Sequence, residues 1–243
     1  MQKLEVSMIK FDKLTKQFGS QVVLNNLSLE IPMGKATGIV GPNGSGKTTM
    51  IKHLLGLVKP NSGSIFINEK KLNGHWDYRK EIGYMPQMAH YPENMEVIEL
   101  INFIKAIRED EEAEEQELVN FFNLRSDLHK RLRNLSGGTR QKVGAVLAIM
   151  FDPSILILDE PTAGLDPQAS HKLKKVIRRE KKKGKTILLT THIMSEIEEL
   201  ADHLIFIVEG NLRYSGPMND FIENQQEQRL EGAVAKMMEE VGQ

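Results

Sequence analysis

The nine residues Gly41-Pro42-Asn43-Gly44-Ser45-Gly46-Lys47-Thr48-Thr49 constrain the fold more than any other stretch of the chain. They follow a short apolar segment, Ala36–Val40, and precede a segment with Met50, Ile51, Leu54 and Leu55 on one helical face. Gly41 through Thr48 satisfies the spacing G-x-x-x-x-G-K-[ST]. Glycines at these positions let a loop wrap a diphosphate so that successive backbone N–H groups point inward. The start of the following helix adds a partial positive charge at the same place. On this reading Lys47 reaches the β- and γ-phosphates, and the Thr48 hydroxyl coordinates Mg²⁺.

The rest of the chain supplies the fold that such a loop needs. Residues 8–31 alternate apolar and polar positions around two turn-prone pairs, Gly19-Ser20 and Asn25-Asn26, and predict half-exposed strands. Further strands are expected at 63–67, 82–85, 155–159 and 186–190, with helices over 167–183 and 194–201. From Pro92 the texture turns helical. Val97, Leu100, Ile101, Ile104 and Ile107 recur at helical spacing, and a second helix is expected over 111–122. Strands alternating with helices predict an α/β fold with a parallel sheet.

Ile155-Leu156-Ile157-Leu158 is a wholly apolar run that ends in Asp159-Glu160. Such a run suits a central parallel strand, and parallel sheets bind ligands beyond the carboxyl ends of their strands. Asp159 is therefore expected to hold Mg²⁺, and Glu160 to orient and polarise an attacking water. Leu135-Ser136-Gly137-Gly138 precedes an apolar helix that runs to Met150. Ser136 is a good N-cap, and the two glycines leave backbone N–H groups open to an anion. Taken alone, a plain helix cap accounts for it.

These motifs resemble, in order and over nearly the whole chain, those of the ATP-binding cassette (ABC) ATPases of ABC transporters. Gly41–Thr48 resembles their Walker A loop, Ile155–Glu160 Walker B, and Leu135–Gly138 the start of the signature motif. Gln87 in Tyr84-Met85-Pro86-Gln87 resembles the Q-loop glutamine, Asp166 the D-loop aspartate, and His192 the switch histidine. Phe18 stands where an aromatic ring stacks on adenine. The signature departs from the family at Thr139, where a glutamine is usual; a glutamine appears only at Gln141.

The resemblance implies a P-loop NTPase (RecA-like) core with an N-terminal antiparallel β subdomain and an inserted α-helical subdomain over about 88–140. The whole of 1–243 is then a single domain. It implies an active ATPase that uses ATP and Mg²⁺. It also implies a head-to-tail pair in which Ser136, Gly137 and Gly138 of one copy contact the γ-phosphate held by the other. Gln87 would sense Mg²⁺ and the attacking water, His192 would hold the γ-phosphate and Glu160 in line, and Asp166 would span the pair.

Composition narrows the setting. The 243 residues balance 32 basic against 33 acidic side chains, which gives no bulk reason to expect nucleic acid as a partner. With no cysteine, thiol catalysis and thiolate metal sites are excluded. No apolar run is long enough to cross a bilayer, and the first residues lack a secretory h-region. The expected role is a cytoplasmic motor subunit, peripheral on the inner face of the membrane through separate membrane-spanning subunits. The short form resembles type-2 exporter ATPases, including those of nitrous oxide reductase copper maturation. The competing reading is a soluble ABC ATPase of iron–sulfur cluster assembly.

Three weaker signals receive plain readings. The basic run from Lys172 to Lys185 is a solvated helix whose C-terminal end favours cations, and Glu109–Glu117 a solvated helix start. Residues 228–241 form an amphipathic helix that packs on its own body; its acidic polar face disfavours direct membrane insertion. Trp76 is expected to pack locally.

Overall fold

The computed structural model describes residues 6–110 and 115–241. In chain order the elements are β1 (Ser7–Phe18), β2 (Gln21–Pro32), β3 (Ala36–Val40), α1 (Lys47–Leu54), β4 (Ser62–Ile67), β5 (Lys70–Lys71) and β6 (Ile82–Met85). Next come α2 (Val97–Arg108), α3 (Glu115–Phe121), α4 (Gly137–Ile149), β7 (Ile155–Asp159), α5 (Pro167–Lys182) and β8 (Thr186–Thr190). The chain ends with α6 (Met194–Leu200), β9 (His203–Val208), β10 (Asn211–Pro217), α7 (Met218–Asn224) and α8 (Leu230–Val241). Two compact units are distinguished, Met1–Tyr78 with Thr186–Gln243, and Arg79–Lys185.

In the first unit β2, β1, β4 and β5 form an antiparallel sheet in that order. Its alternation buries Ile9, Phe11, Leu14, Leu24, Leu27 and Ile31 while intervening polar residues face solvent, as period-2 patterning requires. The same unit carries strands in the order β10-β9-β3-β8. β3 pairs in parallel with β8 and β9, and all five of its residues are buried. A strand enclosed on both faces has no need of polar alternation, which is why Thr37 is the one polar side chain in Ala36–Val40.

In the second unit β6 pairs in parallel with β7. α2 opens with a reciprocal cap in which the Glu96 N–H donates to the Glu99 carboxylate at 2.8 Å. It buries Val97, Leu100 and Ile101. The expected apolar stripe stops there: Ile104 is half-buried and Ile107 is 62% exposed, because only the early turns of the helix pack into the unit. α3 begins at Glu115, and residues 111–114 of the expected helix lie outside the described residues.

The buried face of α5 is Ala169, Leu173, Val176, Ile177 and Glu180. The solvated reading of the basic run holds at exposed Lys175 and Lys182. It does not hold at Lys172, which donates to the Phe121 carbonyl at 2.8 Å, or at Arg179, which pairs with Glu180 at 3.0 Å. It also fails at Lys185, which is only 6% exposed and pairs with fully buried Glu180 at 2.8 Å. Glu115 is likewise not merely solvated, since Lys105 pairs with it at 3.0 Å where both side chains are 15% exposed. Trp76 is 68% exposed. α8 does pack on its own unit, burying Leu230 and Ala233 beside α6 and α7. The Lys236 ammonium donates to the Gln225 carbonyl at 2.6 Å, and Arg229 pairs with Glu198 at 3.1 Å. Among the described residues no helix is long and apolar enough to cross a membrane.

Candidate nucleotide site

The glycine-rich loop leaves β3 and enters α1 in the conformation its composition dictates. Gly46, the residue before the helix, has φ +108°. A β-carbon there would lie 2.8 Å from the Val23 carbonyl oxygen, so no other residue fits without displacing β2. Gly41 is more confined still, with a hypothetical β-carbon 2.0 Å from the Ile207 carbonyl oxygen of β9. The Gly210 N–H donates to the Ser45 carbonyl at 3.0 Å and anchors the loop to the β9–β10 turn.

Lys47 is folded back over this loop. Its ammonium donates to the carbonyls of Gly41 at 2.6 Å and Pro42 at 3.0 Å, which holds a cation over a ring of backbone groups. Ser45 is 2% exposed and its Oγ has no hydrogen-bond partner, a buried polar atom left for a ligand to satisfy. Asn43, Gly44 and Thr48 are exposed, and Thr49 is half-buried. The loop is therefore built for an anion that meets backbone amides, an ammonium and hydroxyls together.

Two other predicted residues share this unit. Ile39 and Thr190 are partners across β3 and β8. Gly41 and His192 therefore emerge two residues later at the same edge of the sheet. His192 is exposed, on a turn fixed by the Ile193 N–H donating to Thr191 Oγ1 at 3.1 Å. Phe18 ends β1 with 49% of its surface exposed, and the Lys16 ammonium lies 4.7 Å from its ring centroid. It presents an open aromatic face of the kind on which a base stacks.

In the second unit Met85 of β6 is the partner of Leu158 of β7. Gln87 and Glu160 therefore both stand two residues beyond a matched pair. Gln87 is exposed, while Asp159 and Glu160 are half-buried. Glu160 has φ +50°, a left-handed conformation that a side-chain-bearing residue adopts only when its surroundings hold it. Tyr84 stands near this carboxylate pair. Burial and the negative charge of Asp159 push its hydroxyl up to about 12, so it stays a neutral donor.

α4 starts as expected. Ser136 Oγ accepts from the Thr139 N–H at 3.2 Å and lies 2.9 Å from Thr139 Oγ1. The hydroxyl of the unusual Thr139 thus joins the cap. Gly137 is exposed with open space around it, whereas a β-carbon on Gly138 would come within 3.2 Å of the Gly164 carbonyl oxygen. Asp166 caps α5 by accepting from the Ala169 N–H at 2.8 Å, and that bond holds its carboxyl below the ordinary range.

Thr48 in the first unit and Asp159 in the second each carry a hard oxygen of the kind that Mg²⁺ takes. Sequence reasoning missed one residue here, Gln141, noted only as a glutamine displaced from its usual place. Its side-chain amide donates to the Glu160 carbonyl at 3.2 Å. Polarity at a buried helical position was the available signal.

Comparison with known proteins agrees. The family model described as ABC transporter matches residues 24–163. The chain is 35% identical over 227 residues to "Nod factor export ATP-binding protein I" of Burkholderia orbicola (strain AU 1054), covering 91% of this chain and 75% of that protein. A solved structure titled as the ATP binding subunit of an ABC transporter superposes with TM-score 0.89 at 29% identity, over 96% of this chain and 100% of the other. A dimeric bacterial ABC transporter cassette superposes with TM-score 0.76 at 25% identity, over 86% and 98%. The fold is that of the P-loop NTPases, with α/β strands and helices beside an antiparallel sheet. The chain belongs to the ABC transporter family, as an ATP-binding and ATP-hydrolysing cassette.

Proposed function

We propose that the chain is the motor subunit of an exporter-type ABC transporter and works as a head-to-tail pair on separate membrane-spanning subunits. The observation that carries this reading is the presence of two anion-type sites in one chain, the Gly41–Thr48 loop and the open helix start at Ser136–Gly138. One nucleotide needs only the first, so the second is free to serve a nucleotide held by another copy. The export function named for the Burkholderia relative favours a transporter over a soluble cofactor-assembly ATPase. On this proposal the chain is peripheral, on the cytoplasmic face, through those membrane-spanning subunits. Assignment to the type-2 exporter group rests on the likeness of the Ser136-Gly137-Gly138-Thr139-Arg140-Gln141 wording to relatives in that group.

In this reading Phe18 stacks on adenine, and residues 41–49 bind the phosphates through backbone N–H groups and the Lys47 ammonium. Thr48, Asp159 and Gln87 are the residues that would hold Mg²⁺, and the ion would supply positive charge against the phosphates. Glu160 accepts a hydrogen bond from the attacking water and orients it in line with the γ-phosphorus. Water oxygen bonds to phosphorus as the bond to the β,γ-bridging oxygen breaks, and ADP leaves with that electron pair. One proton stays on the new P–OH, the other passes by way of Glu160 to a phosphate oxygen, and His192 steadies the γ-phosphate. Ser136, Gly137 and Gly138 of the second copy meet the γ-phosphate from the other side, and Asp166 lies along the junction.

The test is E160Q. Its ATP turnover should fall about 10²–10³-fold while ATP affinity stays within about twofold, because the change removes only the water-orienting charge. Turnover equal to the parent protein would remove Glu160 from this role.

A further inference from the structure

We infer that Gln141 is a positioning residue for Glu160, holding the glutamate backbone in the one conformation that aims its carboxylate. This rests on the reading of Glu160 as the water-orienting group. Glu160 ends β7 and turns the chain with φ +50°. A side-chain-bearing residue there is strained by contact between Cβ and the backbone, so the alternative at negative φ is always in competition. A return to negative φ would swing the Cα–Cβ bond, and the carboxylate with it, away from its present direction. The strained state persists only where neighbouring bonds over-determine it.

Two bonds converge on the Glu160 carbonyl oxygen. The Ala163 N–H donates to it at 3.1 Å from within the turn, and the Gln141 amide donates to it at 3.2 Å from α4. The first is local and any turn of this shape would make it. The second is a tether between elements, and it comes from a glutamine only 7% exposed. Burying a primary amide is costly unless its polar atoms are used, so an apolar residue would fill this position more cheaply if packing were its only task.

Gln141 lies in α4, the helix that Ser136 caps, five positions along the sequence from the proposed second anion contact. The first turn of that helix also lies against the loop after Glu160, through Gly138 and the Gly164 carbonyl. α4 and the glutamate turn are thus joined at two points, one of packing and one of hydrogen bonding. Thr139 carries the family departure two residues earlier, yet it leaves the amide at 141 in place.

The experiment is steady-state ATPase kinetics on Q141M and Q141L, alone and combined with E160Q, with thermal melting and ATP titration on each. Both substitutions keep the volume and remove the donor. Turnover should fall roughly tenfold with KM for ATP within about twofold, since a small misplacement of a reacting group costs rate and not ground-state binding. In the E160Q background the same substitutions should cause no further loss, because there is no carboxylate left to aim. Unchanged turnover in the single variants would contradict the inference. So would a tenfold loss that persists on top of E160Q, or loss of the fold or of ATP binding in both variants, because each marks a purely structural role. If E160Q itself turned over normally, the reading of Glu160 would fail instead, and the two failures are told apart by that one control.

Discussion

Met85 and Leu158 are partners in two parallel strands, and this register sets Gln87 and Glu160 at equal offsets beyond the carboxyl edge of β6 and β7. A side-chain amide and a carboxylate are thereby presented from neighbouring strand ends, where one can report on what the other holds. Q87A should lower turnover about tenfold or more and leave ATP affinity within about twofold, because Gln87 is proposed to act on the water and the cation, not on the nucleotide. Steady-state ATPase assays beside calorimetric ATP titration give both numbers.

Lys47 makes the opposite prediction. Its ammonium donates to the Gly41 and Pro42 carbonyls, which fixes its charge over the phosphate loop. K47A removes a charge-assisted contact worth about 1.5–3 kcal/mol, which is about 10–150-fold in ATP affinity. Calorimetric titration should show that loss with little change in melting temperature.

Some of this was legible in the sequence and some was not, for identifiable reasons. The loop at 41–49 and the helix start at Ser136 are local designs, where glycine spacing and an N-cap determine the conformation within a few residues. The core strands were legible from their unbroken apolar runs. His203–Val208 is such a run too, yet β9, β10 and α7 escaped the reading. The signal lay in Glu209-Gly210, which join β9 to β10 with φ +50° and +73°, the left-handed pair of a tight hairpin turn. The Gln141 tether joins residues 19 apart through tertiary packing, which no periodicity announces. Lys185 looked like one more solvated cation because charge alone says nothing about a buried partner such as Glu180.

That buried pair gives the fold a defined pH dependence. Glu180 is fully buried, and burial pushes its carboxyl up. Lys185 at 2.8 Å, Lys183 at 3.4 Å and Arg179 at 3.0 Å outweigh this and hold it below the ordinary 4.5. Asp152, bonded to Lys185, is likewise held below 3.8. A carboxyl whose folded value is depressed stabilises the protein above its unfolded value, and that stability is lost as pH falls through the folded value. Urea denaturation should therefore show stability declining from pH 4.5 downward, with a shallower decline in E180Q. At neutral pH K185M should cost about 1–3 kcal/mol, less than a buried pair broken outright, because Arg179 and Lys183 still pair with Glu180.

The central claim is that the Ser136 helix start of one copy completes the nucleotide site of another. Sedimentation velocity with MgATP tests it, using E160Q to slow hydrolysis and E160Q combined with S136E to place a negative charge where the γ-phosphate of the other copy should lie. E160Q should sediment as an ATP-dependent dimer. The S136E combination should bind ATP within about twofold of E160Q and yet remain a monomer, because like charges at that distance repel strongly once water is excluded. A dimer that forms equally well with S136E, or an E160Q protein that stays monomeric at saturating ATP, would contradict the account.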